Sequence, residues 1–240
     1  MPNFLSANQA MIANDMNIPE QMPLGIQLMD NARFDNFIIG QNETAVYSIK
    51  NTTEQYVYLW GVPGCGKTHL LQALCHSYSK MNLKISYLPL DNMMLTPSAF
   101  ENLETMDLVC LDNVEFAAGN PMWEEALFNL YNRLRDADTR LVVAAEKSPT
   151  GSDFKLADLA SRMCWGPVYQ LRMLDDEEKK IALQLRAKNR GLDLDDNVVD
   201  YLIKRSSRDM QSLFNLLDKL DKASLVAKRK LTVPFVRELL

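Results

Sequence analysis

The sequence has 240 residues, of which 47% are hydrophobic and 24% charged, and this composition predicts a chain that folds around a substantial core. Its 26 basic and 31 acidic side chains give a formal net charge of −5, which argues against a protein whose main task is to neutralise the phosphates of duplex DNA. The four cysteines include no C-x-x-C pair and the chain has two histidines, so we expect neither a zinc site nor a disulfide framework.

Residues 1–33 predict a flexible leader, because they are rich in Asn, Gln, Met and Pro and show no sustained helical or strand period. No apolar run in the chain approaches the roughly 20 residues of a membrane-spanning helix. The first residues also lack the basic start and the apolar stretch of a signal peptide. We therefore expect a cytoplasmic protein without membrane association.

From residue 34 to residue 174 the pattern is typical of an α/β domain. Apolar runs of strand length alternate with segments whose apolar residues follow helical spacing, such as Leu70, Leu74 and Tyr78. Strands that alternate with helices predict a mostly parallel sheet covered by helices. The runs predict five strands, at residues 56–60, 85–90, 108–111, 141–145 and 168–171.

Residues 175–240 predict a small helical domain, since the strand-like runs stop after Leu174. Three helices are expected at 175–190, 195–206 and 209–228, and a short fourth one around Pro234. Asp175 and Thr232 are suited to begin the first and the last of these helices as N-caps.

A phosphate-binding motif follows the first predicted strand. Residues 61–68, G-V-P-G-C-G-K-T, match G-x-x-x-x-G-K-[ST] in full and stand between a strand and a helix, as this P-loop requires. Gly61, Gly64 and Gly66 allow backbone N–H groups to turn toward a phosphate. Lys67 is suited to reach the outer phosphates, and the Thr68 hydroxyl to bind Mg²⁺. The motif predicts a site for ADP or ATP.

Asp112 is the predicted second magnesium ligand, because it ends the apolar run L-V-C-L at the expected edge of the sheet. A role as a turn residue is the alternative. The next residue is Asn113, whose amide can orient a water molecule but cannot accept its proton. We therefore expect slow intrinsic hydrolysis of ATP.

Three further segments complete a pattern that resembles the AAA+ ATPases over residues 34–240. They are R-L-V-V-A-A-E-K-S-P at 140–149, L-A-D-L-A-S-R-M-C-W-G at 156–166 and S-S-R-D-M-Q-S-L at 206–213. Within this superfamily the chain resembles the replication initiator family of DnaA, and above all its shorter Hda branch of regulatory inactivators. The likeness to that branch is carried by D-N-V-E-F-A-A-G-N-P-M-W-E at 112–124 and by R-K-L-T-V-P-F-V-R-E-L-L at 229–240.

The resemblance implies roles for single residues. Arg162 matches the arginine finger that acts on a neighbour's nucleotide, Glu146 takes the polar position of sensor 1, and Arg208 takes that of sensor 2 in a helical lid. A solvated surface role is the alternative for both arginines. The remaining implied nucleotide contacts are Cys65 and His69 in and after the P-loop, and Phe37, Ile38 and Ile39, which resemble a linker that packs on the base. For these last three, core packing is the alternative.

The leader contains a peptide that resembles the motif by which bacterial replication proteins bind the β sliding clamp. It is Q-M-P-L-G-I at residues 21–26. Gln21 would make orienting hydrogen bonds, while Leu24 and Ile26 would enter an apolar groove. Pro23 and Gly25 depart from the preferred form of the motif.

Three hypotheses follow. The first is a regulator that, held on clamp-loaded DNA, stimulates hydrolysis of the ATP bound to DnaA; it would contact DNA mainly through the clamp, and the resemblance implies head-to-tail homo-oligomers. The second is an autonomous ATPase, such as a helicase loader or a DNA-binding initiator, although the sequence ends after the lid without a helix-turn-helix domain. The third is a scaffold whose nucleotide site has decayed, which the intact Lys67, Thr68 and Asp112 disfavour.

Overall fold

The computed structural model describes residues 28, 32–51, 54–205, 210–227 and 229–239. Most of the predicted leader, including the clamp-binding-like peptide, lies outside these residues. Among the described helices, none has both the length and the apolar composition needed to cross a membrane.

The predicted sheet is confirmed, and each strand boundary lies within one residue of its predicted position. Every pairing is parallel, and the spatial order is β2-β3-β4-β1-β5. The strands are β1 (Tyr56–Trp60), β2 (Ile85–Pro89), β3 (Leu108–Asp112), β4 (Arg140–Ala145) and β5 (Val168–Gln170).

Helices cover both faces of the sheet and leave β3 and β4 buried along their whole length. Side chains that alternate along the strands enter two separate cores, one under each helical layer. The layer on one face consists of α1 (Glu43–Asn51) and α2 (Lys67–Lys80), and the layer on the other of α3 (Pro121–Asp136) and α4 (Ala157–Arg162).

Among the described residues, four helices follow the sheet, as predicted, and they share a third core. They are α5 (Asp176–Asn189), α6 (Asp196–Arg205), α7 (Met210–Ala227) and α8 (Val233–Leu239). Asp175 caps α5 as expected: its side chain accepts a hydrogen bond from the Glu178 N–H at 2.8 Å, and the Glu178 carboxylate accepts one from the Asp175 N–H. All four cysteines are free thiols, and Cys164 is the exposed one.

The segment before α1 joins the sheet to the helical part. A Cβ atom on Gly40 would lie 3.0 Å from Leu174 and 2.9 Å from the Glu178 carboxylate, at the start of α5. Asn42 fixes the same segment to the chain that leaves β5, because its amide donates to the Arg172 carbonyl at 2.9 Å and accepts from the Arg172 N–H at 2.7 Å. Residues 34–42 therefore form a linker that touches both parts of the molecule.

Candidate functional site

The P-loop forms the turn between β1 and α2, with Gly66 directly before the helix. Gly66 has φ +100°, and a Cβ there would lie 2.8 Å from Cε2 of Phe37. A side chain is thus excluded both by the backbone angle and by the phenyl ring that packs on the loop. The first turn of α2 points its free N–H groups toward the loop, as phosphate binding requires.

Lys67 is held inside this loop. Its side chain is almost fully buried, and Nζ donates to the carbonyl oxygens of Gly61 at 2.6 Å and Val62 at 3.3 Å. Cys65 Sγ lies 4.0 Å from the same ammonium. Burial raises the pKa of Cys65 although the lysine charge opposes the shift, so the thiol stays protonated at neutral pH. Lys67 is the cation at the centre of the loop.

Asp112 lies beside the P-loop at the carboxyl end of β3. Its Oδ2 accepts hydrogen bonds from the Thr68 hydroxyl at 2.6 Å and the Tyr87 hydroxyl at 2.9 Å, and its Oδ1 accepts one from the Asn113 N–H at 3.1 Å. Burial raises the pKa of Asp112, and these hydrogen bonds oppose the shift. The structure therefore brings Thr68 and Asp112 together, as predicted, and adds Tyr87, which the sequence analysis missed.

This pair fits a magnesium ion that also binds phosphate oxygens. Mg²⁺ typically takes one or two protein oxygens and completes its shell with phosphate and water. A hydroxyl and a carboxylate next to a P-loop supply those protein oxygens. In the described residues there is no cluster of three or more His, Cys, Asp or Glu side chains suited to hold a metal by itself.

A second carboxylate, that of Glu115, follows Asp112 by three residues. Asn113 adopts the left-handed conformation, with φ +56°, and starts a single turn of 3-10 helix over Val114–Ala117. That turn places Oε2 of Glu115 3.3 Å from the backbone N–H of Glu146 at the end of β4. Burial raises the pKa of Glu115. Glu115 and the exposed Glu146 both line a cavity of about 220 Å³, and the sequence analysis overlooked Glu115 because it considered the residue directly after Asp112 alone.

The three predicted linker residues, Phe37, Ile38 and Ile39, lie in three different environments. The Phe37 ring packs on Gly66 and lies 5.3 Å from the His69 ring, Ile38 packs into the core of the helical part, and Ile39 is 42% exposed. His69 Nε2 lies 3.0 Å from the Arg33 carbonyl oxygen, a hydrogen bond that requires the proton on Nε2. Burial lowers the pKa of His69, so the ring is neutral at physiological pH.

Arg162 ends α4 and is clamped between aromatic rings. Its guanidinium carbon lies 4.2 Å from the centroid of the Phe128 ring and 4.9 Å from that of the Trp165 ring. One of its terminal nitrogens donates to the Asn132 side-chain oxygen. Phe128 and Asn132 are four residues apart on α3 and so share one face of that helix. None of these three neighbours was predicted.

This clamp lies at the far end of β1 from the P-loop. The Trp165 ring packs edge-on against Tyr56, the first residue of β1, with centroids 6.3 Å apart. The P-loop follows Trp60, the last residue of that strand. Five strand residues separate the two ends by about 13 Å. Arg162 therefore lies near the amino-terminal end of β1, whereas the phosphate loop of its own chain follows the carboxyl-terminal end.

Four predicted site residues lie outside the described residues: Gln21, Leu24, Ile26 and Arg208. Their roles remain predictions from the sequence.

Two family models match the chain in succession. The model of the bacterial DnaA ATPase domain matches residues 28–170, which is more than half of the chain, and the model of the Hda lid domain matches residues 176–240. The chain belongs to the bacterial DnaA ATPase domain family. It is an AAA+ P-loop protein related to DnaA, and its helical part is related to the lid of Hda.

Solved structures share the fold of this chain. Domain III of the replication initiation protein DnaA from Thermotoga maritima superposes with a TM-score of 0.77 and 22% identity, covering 89% of this chain and 97% of that one. AMPPCP-bound DnaA from Aquifex aeolicus gives 0.68 and 22%, covering 81% of this chain and 66% of that one. The RuvB Holliday junction branch migration motor of Thermotoga maritima gives 0.66 and 19%, covering 88% and 72%.

Proposed function

We propose that this protein inactivates the replication initiator by triggering hydrolysis of the ATP that DnaA holds. In this proposal the chain is held on the DNA-loaded β sliding clamp through residues 21–26 and brings Arg162 to the nucleotide of DnaA. One observation carries the proposal: Arg162 is partly exposed and lies at the opposite end of β1 from its own P-loop, where it packs against the Phe128 and Trp165 rings.

A guanidinium in that position is suited to act on a partner. Its planar fork of donors matches the oxygens of a γ-phosphate. An arginine supplied in trans raises the rate of phosphoryl transfer by roughly 10³ to 10⁵ in comparable enzymes. AAA+ relatives meet head to tail, so the Arg162 surface would face the P-loop side of DnaA in a mixed assembly, or of a second copy in a homo-oligomer.

The nucleotide of this chain, ADP or ATP with Mg²⁺, has a structural role in the proposal. Lys67, Thr68 and Asp112 would hold the phosphates and the ion, and the AMPPCP of the related Aquifex DnaA supports a nucleotide at this place. Asn113 offers no carboxylate to the attacking water, and the Glu115 carboxylate accepts a hydrogen bond from the Glu146 N–H instead, so intrinsic hydrolysis is expected to be slow. The bound nucleotide would instead fix the linker and the lid, with Arg208 as a further contact.

Lys67→Ala is expected to weaken binding of ADP by about tenfold to a hundredfold, because it removes the one charged donor at the centre of the loop. Isothermal titration calorimetry with unlabelled ADP measures the change. Lys84→Ala, which removes an exposed lysine at the start of β2, is the matched control and should bind ADP as the wild type does. Equal affinity of Lys67→Ala and wild type would contradict the assignment of the site.

Release of labelled phosphate from ATP prebound to DnaA tests the regulatory function directly. With ADP and clamp-loaded DNA present, wild type should accelerate release strongly, whereas free clamp without DNA should not support it. Gln21→Ala should lose most of the acceleration, and Gln27→Ala, one residue beyond the peptide, should retain it. A wild type that leaves the rate unchanged, or that hydrolyses ATP rapidly alone, would favour an autonomous ATPase instead.

A further inference from the structure

A cavity of about 150 Å³ lies between α1 and α2, the two helices that cover one face of the sheet, and the 3-10 turn Phe34–Asn36 closes it on a third side. Three of its lining residues are cationic: Arg33, Lys50 and Lys80. Asp35 is the acidic residue among them. This basic cavity therefore has a surplus of positive charge, although the chain as a whole has a formal net charge of −5.

One wall of the basic cavity is a single face of α2. Ala73, His76, Ser77 and Lys80 line it and recur at intervals of three and four residues, so they share one side of the helix. Ala73 is small and buried, His76 and Ser77 are half-buried, and Lys80 is exposed. This wall places a hydroxyl and an imidazole beside a cation, and lysine and hydroxyl side chains are common ligands of DNA phosphate oxygens.

The positive charge of the basic cavity is not neutralised by carboxylates of the described chain. Within the described ranges, no salt bridge joins Arg33, Lys50 or Lys80 to Asp35 or to any other acidic side chain. The Lys50 ammonium instead lies 5.8 Å from the centroid of the Phe34 ring, which leaves its charge in place. The basic cavity is therefore suited to an anionic ligand from outside the chain.

The basic cavity is also close to the place where the leader joins the domain. The peptide at residues 21–26 ends at Ile26, and Leu28 already packs against the core under α1 and α2. An extended chain advances at most about 3.6 Å per residue, so two residues span about 7 Å. A clamp that binds the peptide would therefore lie beside this helical layer, together with the DNA on which the clamp is loaded.

We propose that the basic cavity binds phosphate groups of the DNA backbone next to the clamp, independently of base sequence. The inference rests on the clamp tether of the proposed function and goes beyond it by assigning a direct DNA contact to α1 and α2. Contacts from a few cations bind free duplex weakly, typically with a Kd of about 10⁻⁴ to 10⁻⁶ M at physiological salt. A tether raises the effective concentration of DNA to the order of millimolar, so the contact forms on clamp-loaded DNA.

Fluorescence anisotropy of a short labelled duplex, titrated with the full chain in the absence of clamp and DnaA, tests the phosphate contact. The double variant Lys50→Gln/Lys80→Gln should bind about tenfold more weakly at low salt, and the slope of log K against log salt concentration should fall by about two, because two phosphate contacts are lost. Both lysines are exposed, so the melting temperature should not change.

The matched control is Lys155→Gln/Lys222→Gln, which removes the same charge from two exposed lysines elsewhere on the chain. It should bind the duplex as the wild type does. An equal loss in both double variants would overturn the proposal, because it would reflect net charge alone. The proposal would also fail if the wild type did not bind the duplex at all.

Two further measurements separate the sources of phosphate and the two proposals. Calorimetry with inorganic phosphate tests for a free ion: if Lys50→Gln/Lys80→Gln loses binding of this ion but keeps wild-type affinity for the duplex, the DNA contact is refuted. On clamp-loaded DNA the same variant should dissociate faster than wild type, whereas its binding to free clamp should be unchanged. A wild type that binds the duplex through these lysines but does not bind the clamp would support the phosphate contact and refute the tether of the proposed function.

Discussion

Arg162→Ala is expected to reduce the stimulation of DnaA-bound ATP hydrolysis by on the order of 10³-fold, which would leave the rate near that of DnaA alone. The alanine removes the whole donor fork. Arg135 also lies over the Trp165 ring, but at 5.8 Å, whereas Arg162 contacts both Phe128 and Trp165. Single-turnover release of labelled phosphate, with saturating clamp-loaded DNA, measures the effect.

The control for this change is Arg229→Ala. Arg229 is also stacked on a phenyl ring, at 4.4 Å from the Phe235 centroid, and also bonded to an acceptor, the Glu238 carboxylate at 3.1 Å, but it lies in the helical part. It should keep full stimulation. Arg162→Ala should bind ADP as tightly as wild type, because Arg162 is remote from its own P-loop. Full stimulation by Arg162→Ala would refute the role of the finger.

The sheet and the P-loop were predictable because local sequence carries their signals. Strands buried on both faces appear as continuous apolar runs, and β3 and β4 are buried at every position. The motif at 61–68 requires a strand before it and a helix after it, and both are local. The N-cap of α5 is local too, since Asp175 and Glu178 are three residues apart.

The surroundings of the functional groups were not predictable, because they depend on contacts between distant parts of the chain. Arg162 meets Asn132 across 30 positions, and Tyr87 meets Asp112 across 25. Which face of α3 lies under α4 follows from the packing of the whole layer, not from the sequence of either helix. The signal for Glu115 was Asn113. Asn tolerates the left-handed conformation, which turns the chain after Asp112 and brings the residues that follow back toward the site.

The role of Glu124, which holds the segment before α4 and Arg162, was likewise not predictable from the sequence. An acidic side chain in the first turn of α3 is what the helix dipole favours at a solvated surface. In the structure it is 2% exposed, and its carboxylate accepts hydrogen bonds from the N–H groups of Gly119 at 2.6 Å, Lys155 at 2.9 Å and Leu156 at 2.7 Å. Glu124 therefore anchors the chain directly before α4, the helix that ends in Arg162.

Glu124→Gln is expected to lower the free energy of unfolding by about 2 to 4 kcal/mol, because the amide presents N–H donors to backbone donors and leaves at least one of them buried without an acceptor. Urea unfolding at pH 7 measures the loss, with Glu125→Gln as the control on the exposed side of the same turn. The segment before α4 would also lose its hydrogen bonds to Glu124, so stimulation of DnaA-bound ATP hydrolysis should fall although Arg162 is intact. Unchanged stability would contradict the structural role of the carboxylate.

The pH dependence separates the charge of Glu124 from its shape. Burial by itself would raise the pKa of Glu124, but the hydrogen bonds from Leu156, Lys155 and Gly119 outweigh it and hold the pKa below its usual range. A carboxyl with a lowered folded-state pKa stabilises the fold fully above its unfolded pKa of about 4.3, and this contribution is lost as the pH falls through the folded value. The stability difference between wild type and Glu124→Gln should therefore be largest at pH 7 and shrink toward pH 3, whereas a difference that stays constant would point to packing alone.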